Sequence, residues 1–591
     1  MLKSDAVRRY FILSFLAVAA GAWAQPEHVV LISIDGLAAY QLDDRELVLP
    51  NIRKLIETGV WAESSETVYP SVTHPSHTTL VTGVMPRVHG VVGNRVVNRE
   101  TGERFHFTNK PHTESVRVPT IFDAAKQKGL ITAAFYWPEN YQDPSIDYNI
   151  PEVFDGDTAD PKAADPAFLE ELRKAGIPID LFYAWYLDRN RKGAADAILA
   201  DAAAYVLLRY RPQLLAIHLL VTDEIQHVYG PDHYRSKEAI TAADNAVGIL
   251  MRAVDEAGLA DKTTFFIVSD HGFHTVRHEV NLHPLFERNG LADRVRLTRS
   301  GWSLYVEAAD LTRDEAALER VFEEALSLRG VARILRPQDF HDLGFPRYEE
   351  DPHVQGQYAI VGDIDTFPVA DAESSSTHRR PRATVYHGHG YLPSHPRMYP
   401  AFVASGVGIA RGQRVGHVRN LDVAPTIAHL LGLDLPTATG VVMTEILQTS
   451  EVEDVATAYL RRIQNQDWEH MAELLDETSV YQDFTMEYFD RDAIDLVGME
   501  AIVDFWRTSW EDSGTSEIRY VVDEKFVAGP AVLYIMSMNV RMSGAYWNVD
   551  KPEIQLRGRL ITFLRVENAK ITHHIDFTDY ASAMAQIESQ R

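Results

Sequence analysis

The chain has 591 residues, of which 46% are hydrophobic and 24% are charged, a length that exceeds one hydrophobic core and predicts two domains. Its formal net charge of −27 argues against a protein that binds long nucleic acids by counterion release. It contains no cysteine, which excludes disulfides and thiolate metal ligands and leaves nitrogen and oxygen donors for any metal site.

Residues 1–24 have the pattern of a secretory signal peptide. Three basic residues precede an apolar run at 10–20, and small residues lead up to Ala24. The run is shorter than the roughly 20 apolar residues of a transmembrane helix, and no later stretch reaches that length. We expect a mature chain from Gln25 that is secreted or periplasmic and has no transmembrane segment, with an uncleaved anchor as the alternative.

Residues 25–440 alternate strand-like and helix-like runs, such as His28–Ile34 followed by Asn51–Gly59. This alternation predicts an α/β domain with a mostly parallel sheet between layers of helices. Two segments lack periodicity. We interpret 139–180 as a long loop or cap insertion and 340–382 as an irregular flap.

An apolar run precedes each of three aspartates, Asp35, Asp223 and Asp270. The runs are His28–Ile34, Leu214–Val221 and Thr263–Ser269. In open α/β sheets, ligands bind outside the carboxyl ends of the strands. We therefore expect the three carboxylates, which are distant in sequence, to converge there.

Thr73 begins a helix-compatible run that Gly83 is suited to end. Pro75 fits the first helical turn, which places Thr73 at the cap. A hydroxyl in that position lies beside unpaired amide hydrogens and the positive end of the helix dipole, which favour phosphate oxygens. A simple helix cap is the alternative interpretation of Thr73.

Three histidines accompany the aspartates. Asp223 and His227 are four residues apart, so a helical turn would place both on one face. His271 directly follows Asp270, and His389 lies between two glycines. Taken alone, each of these residues also has a structural interpretation. Asp270 is then a solvated aspartate at the end of a strand, His389 is a loop histidine, and any single histidine is a hydrogen-bonded structural residue.

Taken together and in order, these motifs resemble the alkaline phosphatase superfamily and, within it, the nucleotide pyrophosphatase/phosphodiesterase branch. The resemblance spans roughly residues 27–435, and its motifs are I-D-G at 34–36, T-H-P-S-H at 73–77, D-xxx-H at 223–227, S-D-H-G at 269–272 and G-H-G-Y at 388–391.

The resemblance implies two divalent metal ions, which we expect to be Zn²⁺ because the ligands are imidazole, carboxylate and hydroxyl. Each ion has its own set of ligands. One ion would be held by Asp35, Asp270, His271 and the oxygen of Thr73, and the other by Asp223, His227 and His389.

The resemblance further implies a secreted hydrolase that cleaves phosphodiester or pyrophosphate bonds in a small anionic phosphoester. Thr73 would attack phosphorus, and a phospho-threonine intermediate would then be hydrolysed. Asn94 aligns with an amide that donates to a phosphate oxygen; a turn asparagine is the alternative. His74 departs from nucleotide-cleaving members, which often place a base-stacking aromatic residue after the nucleophile, so lipid-like and sugar-linked diesters stay open.

Other activities on the same scaffold remain alternatives. One is a phosphomonoesterase or phosphonate hydrolase, and another is a metal-containing binding protein without turnover. Sulfatases need a modified Cys or Ser in a C/S-x-P-x-R frame, and residues 73–77 lack both the cysteine and the arginine. Sulfate ester hydrolysis is therefore not expected as the main activity.

Residues 452–591, after a linker predicted at 441–451, place helices before alternating strands. This order predicts a separate α+β domain, and the pattern resembles the cone-shaped ketosteroid-isomerase-like fold of nuclear transport factor 2. Such folds often dimerise through the sheet, so a homodimer is a candidate assembly. Four polar residues either line the cone or lie on the solvent face of the sheet, with an assembly or binding role favoured over a second active site: Asp483, His573, His574 and Asp576.

Overall fold

The computed structural model describes residues 25–155, 158–185, 192–448, 451–485, 493–528 and 530–591. The predicted signal peptide lies outside these residues. Contacts divide the described chain into two units, Gln25–Gln448 and Thr449–Arg591, and the linker at 441–451 stays a prediction. Within the described ranges, no helix is both long enough and apolar enough to cross a membrane.

The first unit is built on an eight-stranded sheet. Seven strands run in one direction and Phe402–Gly406 runs against them, which confirms the prediction of a mostly parallel α/β sheet. In spatial order the strands are Gln413–Arg419, Val60–Glu66, Phe402–Gly406, Thr263–Val268, His28–Ile34, Leu214–Leu219, Thr132–Phe135 and Tyr148–Ile150.

Helices cover both faces of this sheet because its central strands are apolar on both sides. In His28–Ile34, Val30 and Ile32 face one core and Val29 and Leu31 face the other. The first core contains side chains of Pro50–Thr58, Lys192–Tyr210 and Tyr234–Glu256. The second core contains side chains of Thr73–Thr82, Ile121–Gln127 and Val423–Leu431.

Smaller sheets and helices complete the first unit. A four-stranded sheet contains Val295–Ser300, Ser303–Ala308, Tyr358–Gly362 and Val331–Leu335, and a three-stranded sheet contains Thr366–Val369, His274–Asn281 and Arg380–Gly388. Two-stranded pairs are Arg95–Val97 with Arg104–His106 and Phe154–Asp155 with Thr158–Ala159. The other helices are Ala39–Leu42, Pro86–His89, His112–Ser115, Pro166–Lys174, Ile179–Trp185, Val221–Tyr229, His283–Arg288, Leu311–Ser327 and Pro337–Asp342.

Two predictions for irregular segments were wrong. The predicted flap at 340–382 contains Tyr358–Gly362, a buried strand in the middle of a sheet. The predicted loop at 139–180 contains the helix Pro166–Lys174, whose Phe168 and Leu172 pack into the first core. The strand Tyr358–Gly362 has only five residues, and the helix Pro166–Lys174 follows a stretch rich in Asp and Pro, so each is a short signal within an irregular segment.

The second unit is the α+β structure that the sequence predicts. Its six strands, in spatial order, are Ile494–Val497, Val480–Asp483, Lys570–Thr578, Glu553–Glu567, Ala531–Ser543 and Glu517–Ala528. Its helices are Glu451–Gln464, Trp468–Ala472, Met499–Ser513 and Tyr580–Gln590. Asp483, His574 and Asp576 are buried, whereas His573 is exposed, so only the first three face the interior.

Candidate metal centre

Asp35, Asp223 and Asp270 converge beyond the carboxyl ends of three adjacent strands. Asp35 directly follows its strand, and its backbone N–H donates to the carbonyl of Leu219 in the next strand. Asp223 lies in the helix Val221–Tyr229. One carboxylate oxygen of Asp270 accepts the backbone N–H of Gly36 at 3.1 Å. All three aspartates are buried.

Three imidazoles approach these carboxylates through their Nε2 atoms. His271 Nε2 lies 3.4 Å from Asp35 and 3.0 Å from Asp270. His227 and His389 each place Nε2 3.4 Å from a different oxygen of Asp223. The rings of His271 and His389 stack with centroids 3.5 Å apart, so the two groups of ligands are adjacent.

Backbone carbonyls hold the other ring nitrogen of each histidine. Nδ1 of His227 donates to the carbonyl of His387 at 2.7 Å, that of His271 to Gly272 at 3.1 Å, and that of His389 to Ser71 at 3.1 Å. A proton on Nδ1 leaves the lone pair on Nε2, which faces the carboxylates. This is the arrangement in which histidine binds metals.

Several of these atoms are buried without a hydrogen-bond partner. They are Oδ1 of Asp35, Oδ1 of Asp223, Oδ2 of Asp270 and Nε2 of His271. Burial and the neighbouring carboxylates of Asp270 and Asp223 raise the pKa of Asp35 well above its usual range. Burial and the His271 ring hold the pKa of His389 well below its usual range. Clustered, buried carboxylates beside imidazole nitrogens fit bound cations.

Neighbouring residues link the Thr73 segment to these two groups of side chains. It is the first residue of the helix Thr73–Thr82, and Val72 is the cap residue, one position earlier than the sequence predicts. Two residues before it, Ser71 accepts the bond from His389. The carbonyl of Thr73 accepts Nδ1 of His77 at 2.9 Å, and His77 lies 3.8 Å from Asp270. Thr73 is therefore connected to both groups of ligands.

Asn94 and His74 lie beside Thr73. The side-chain oxygen of Asn94 accepts the backbone N–H of His74 at 3.0 Å, which leaves the hydrogens of its NH₂ group as donors. His74 is only 3% exposed. Its Nδ1 lies 2.8 Å from the buried carboxylate of Glu139. The residue after Thr73 is thus buried and lies against a buried carboxylate.

His218 is a contact of this centre that sequence reasoning missed. Its Nε2 lies 3.0 Å from Oδ2 of Asp35, and its Nδ1 lies 3.3 Å from the carbonyl of Tyr136 and 3.8 Å from Glu152. The signal was present in the sequence, because His218 is a lone polar residue in the buried apolar strand Leu214–Leu219.

The structure brings the six predicted aspartate and histidine ligands together, and two groups of them share a residue. Side-chain atoms of Asp35, Asp270 and His271 lie within 4.8 Å of one another, as do those of Asp223, His271 and His389. His271 therefore belongs to both groups, whereas the predicted sets assign it to one ion. His227 contacts Asp223 from the open side, with its side chain 31% exposed.

Comparisons with known proteins agree with this architecture. Residues 29–379 match the family model "Type I phosphodiesterase / nucleotide pyrophosphatase", and residues 453–587 match "SnoaL-like polyketide cyclase". The second match identifies the C-terminal domain as SnoaL-like, the nuclear transport factor 2 class of fold that the sequence predicts.

Curated relatives are similar over part of the chain. Human ectonucleotide pyrophosphatase/phosphodiesterase family member 1 is 26% identical over 246 residues, which cover 41% of this chain and 23% of that protein. Venom phosphodiesterase 2 of Crotalus adamanteus is 23% identical over 256 residues, or 42% of this chain and 27% of that protein. The chain thus matches about a quarter of these relatives' length.

Solved structures show the same fold. Human ectonucleotide pyrophosphatase/phosphodiesterase 5 superposes with a TM-score of 0.53 at 17% identity, covering 71% of this chain and 100% of that one. An inactive variant of the murine protein in complex with AMP gives a TM-score of 0.50 at 18% identity, with the same coverage. Since its family match extends over more than half of its length, the chain belongs to the type I phosphodiesterase / nucleotide pyrophosphatase family.

Proposed function

We propose that the first unit is a metal-dependent hydrolase that cleaves phosphodiester or pyrophosphate bonds through a phospho-threonine intermediate on Thr73. One observation carries the proposal. Three carboxylates and three imidazoles point unpaired or loosely paired atoms at one another beside the N-terminus of the Thr73 helix. Such a cluster of negative charge is costly without cations and suits anionic phosphoryl substrates once cations are bound.

The donor set fits two divalent ions, and we propose Zn²⁺. Oxygen and imidazole donors without thiols suit zinc, and the Nδ1 bonds to carbonyls already orient the rings. When bound, the ions would supply positive charge for the nucleophile and leaving-group oxygens. We assign the ligands as the sequence resemblance does: Asp35, Asp270, His271 and Thr73 for one ion, and Asp223, His227 and His389 for the other.

The residues of the chain have distinct tasks in this proposal. The hydroxyl of Thr73 attacks phosphorus, and its position at the start of a helix places backbone N–H groups and the positive dipole end beside the phosphoryl oxygens. The NH₂ group of Asn94 donates to a non-bridging oxygen, since its carbonyl oxygen is already bonded to His74. His77 holds the carbonyl of Thr73 and fixes the first turn.

Hydrolysis of bis(p-nitrophenyl) phosphate by the full chain tests the proposal. We expect Thr73→Ala to lower kcat/KM by about 10³-fold or more and Asn94→Ala by about 10²- to 10³-fold. Thr82→Ala, in the same helix, is the matched control, because the Thr82 hydroxyl donates to the Thr78 carbonyl within the helix. Equal rates for Thr73→Ala and wild type, or full activity after chelation, would contradict the proposal.

A second part of the proposal concerns whether the enzyme prefers phosphate diesters or monoesters. We propose a preference for diesters over monoesters, and comparison of p-nitrophenyl phosphate with its methyl diester measures it. A large preference for the monoester would favour a phosphomonoesterase. The murine relative that was solved with AMP makes nucleotide esters suitable first substrates.

We propose that the chain is secreted or periplasmic and forms a homodimer through the C-terminal domain. The signal pattern of residues 1–24 supports export, and N-terminal sequencing of the protein from cell fractions tests it. Exposed apolar side chains on the outer sheet face support the dimer. Ile561 and Phe577 are cross-strand partners that are 37% and 40% exposed, and Phe526 is 48% exposed.

A further inference from the structure

Two arginines lie against the buried ring of Phe367. The guanidinium carbon of Arg299 is 5.1 Å from the centroid of that ring, and the guanidinium carbon of Arg382 is 5.0 Å from it. Arg299 comes from the strand Val295–Ser300 of the four-stranded sheet, whereas Arg382 and Phe367 come from the three-stranded sheet. The proposed phosphoesterase centre has no task for any of these residues.

Tyr386 connects the two arginines to the metal centre. Its ring centroid is 5.1 Å from that of Phe367 and 6.1 Å from that of His227, a proposed metal ligand. Burial and the negative charge of Asp223 raise the pKa of Tyr386, although the positive charges of the two arginines act in the opposite direction. The phenol is therefore close enough to the Asp223 ligand group and to the arginines to feel the charge of both.

The hydroxyl of Tyr386 lies over the loop that contains His389. A Cβ atom at Gly388 would be only 2.7 Å from the hydroxyl oxygen, so the absence of a side chain at 388 gives the phenol its place. Tyr386 is partly exposed, and among the residues that the structure describes its hydroxyl has no hydrogen-bond partner. Its O–H group is thus available as a donor to a ligand.

The positive charge of the two arginines exceeds the negative charge that pairs with it. Arg299 is exposed and, within the described ranges, forms no ion pair. Arg382 lies 3.3 Å from one oxygen of Glu279, but the other oxygen of that carboxylate is 2.9 Å from Arg380, which also pairs with Asp371. Three cations therefore share two carboxylates, which leaves an excess of one positive charge.

This excess of charge lies in a chain whose net charge is −27. A cation–π contact with Phe367 accounts for the position of the Arg299 guanidinium group and leaves its N–H groups free to donate. Guanidinium groups bind phosphate and carboxylate through two parallel hydrogen bonds. Unpaired N–H donors, positive charge and a free hydroxyl beside a metal centre together suit an anionic group of the substrate.

The contact between Tyr386 and His227 indicates which part of the substrate this group belongs to. In the proposed function, on which this inference rests, Thr73 is assigned to the ligand group of Asp270, and His227 belongs to the other group. The attacking and leaving oxygens are roughly in line in phosphoryl transfer. The leaving group therefore departs on the side of His227, where Tyr386 and the two arginines lie.

We propose that Arg299, Arg382 and Tyr386 form a subsite for an anionic group on the leaving group of the substrate, a phosphate or a carboxylate close to the ester bond that is cleaved. Donors placed where negative charge develops stabilise a transition state more than they stabilise the bound substrate. The subsite would thus favour esters with an anionic leaving group over esters of uncharged alcohols.

Two chromogenic diesters that differ by one charge test the proposal. One is methyl p-nitrophenyl phosphate with a carboxylate beside the nitro group, and the other has that carboxylate as its methyl ester. We expect the ratio of kcat/KM, carboxylate over methyl ester, to fall about 10-fold in Arg299→Ala. Comparison of ratios between proteins removes the difference in intrinsic reactivity between the two esters. An unchanged ratio in Arg299→Ala would overturn the proposal.

Arg296→Ala is the matched control for this experiment. Arg296 lies in the same strand as Arg299 and is also exposed, but it pairs with Glu307 on the neighbouring strand. Its removal changes the net charge of the chain by the same amount, so we expect it to keep the ratio of wild type. A fall of the ratio in Arg296→Ala equal to that in Arg299→Ala would show a general effect of charge and overturn the subsite.

A binding measurement separates the subsite from the phosphoesterase activity. Titration calorimetry of the zinc-loaded Thr73→Ala protein uses two probes, methylphosphonate and phosphonoacetate, of which only the second has a carboxylate beside its phosphonate group. We expect Arg299→Ala, added to Thr73→Ala, to weaken phosphonoacetate about 10-fold relative to methylphosphonate. The same relative affinity in both proteins would overturn the subsite. A wild type that hydrolyses neither diester, with the expected change in phosphonoacetate affinity, would instead contradict the proposed hydrolase and leave the subsite supported.

Discussion

His74 and Glu139 form a buried pair, with Nδ1 of His74 2.8 Å from the carboxylate of Glu139. Although burial lowers the pKa of His74, Glu139 and neighbouring carboxylates raise it above its usual range. The pair therefore explains why a histidine lies at the position after Thr73. We therefore expect the imidazole to act on the position of Thr73 and not to stack on a base.

We expect His74→Ala to lower kcat/KM by the same factor for a nucleoside 5′-(p-nitrophenyl) phosphate and for a base-free phenyl diester. The reason is that His74 contacts Glu139 and not the substrate, so its loss affects the position of Thr73 for both esters. Stacking on a base typically contributes about 1–3 kcal/mol. A loss confined to the nucleoside ester would therefore show that His74 does contact a base.

The variant His218→Phe tests whether the contact from His218 helps Asp35 to bind zinc. Nε2 of His218 lies 3.0 Å from Oδ2 of Asp35, a proposed metal ligand, and removal of such a contact typically lowers metal affinity by about 10- to 100-fold. Competition with a fluorescent chelator measures the zinc affinity. His417→Phe is the control, since His417 is exposed on the edge strand Gln413–Arg419 and bonds to Ser64. Unchanged zinc affinity in His218→Phe would contradict the role of His218.

Glu152 predicts a pH dependence of stability in the metal-free protein. Burial, with the nearby Glu139 and Asp270, raises the pKa of Glu152 to about 8. The folded state holds the proton of Glu152 more tightly than the unfolded state does. Glu152 therefore makes its largest contribution to the free energy of unfolding below about pH 4.5. This contribution falls as the pH rises through 8, by at most about 5 kcal/mol.

Thermal unfolding of chelator-treated wild type and Glu152→Gln between pH 5 and pH 8.5 measures this contribution. We expect the stability of wild type relative to Glu152→Gln to decrease over this range. Glu100→Gln, at an exposed turn, should follow wild type. Parallel curves for wild type and Glu152→Gln would show that the Glu152 carboxyl is not protonated at neutral pH.

The proposed homodimer predicts a change of mass on substitution at the sheet face. We expect Ile561→Glu with Phe577→Glu to convert a dimer into a monomer, because opposed carboxylates would be buried at the interface. Light scattering after size exclusion measures the mass. Val441→Glu, at a residue of the first unit that is 59% exposed, is the control. A wild type that is monomeric at micromolar concentration would contradict the dimer.

The strands of the large sheet in the first unit, and the aspartates that follow them, could be predicted because each pattern lies within a few consecutive residues. The strand His28–Ile34 is apolar except at His28 and Ser33 and is buried throughout. Asp35 and Asp270 lie at strand ends, where α/β sheets bind ligands. The ligand residues could be recognised together because each stands in a motif of the family, although each alone has a structural interpretation.

What could not be predicted depends on contacts between distant segments. Nothing local to His218 shows that it reaches Asp35, and nothing local to His74 shows that Glu139 buries it. The sharing of His271 between two groups of carboxylates also arises only when three strands lie side by side. The strand Tyr358–Gly362 escaped prediction because its five residues lie within a long polar stretch.

The order in which the centre's ligands occur along the chain has a consequence for folding. Asp35 comes from the first strand of the sheet, and His389 comes after a strand near the end of the same unit. Pairing these segments closes a very long loop, which is slow because its entropy must be lost before the contacts form. A nascent or truncated chain therefore lacks part of the proposed ligand set, and uptake of the proposed zinc ions would mark the moment when the whole unit has folded.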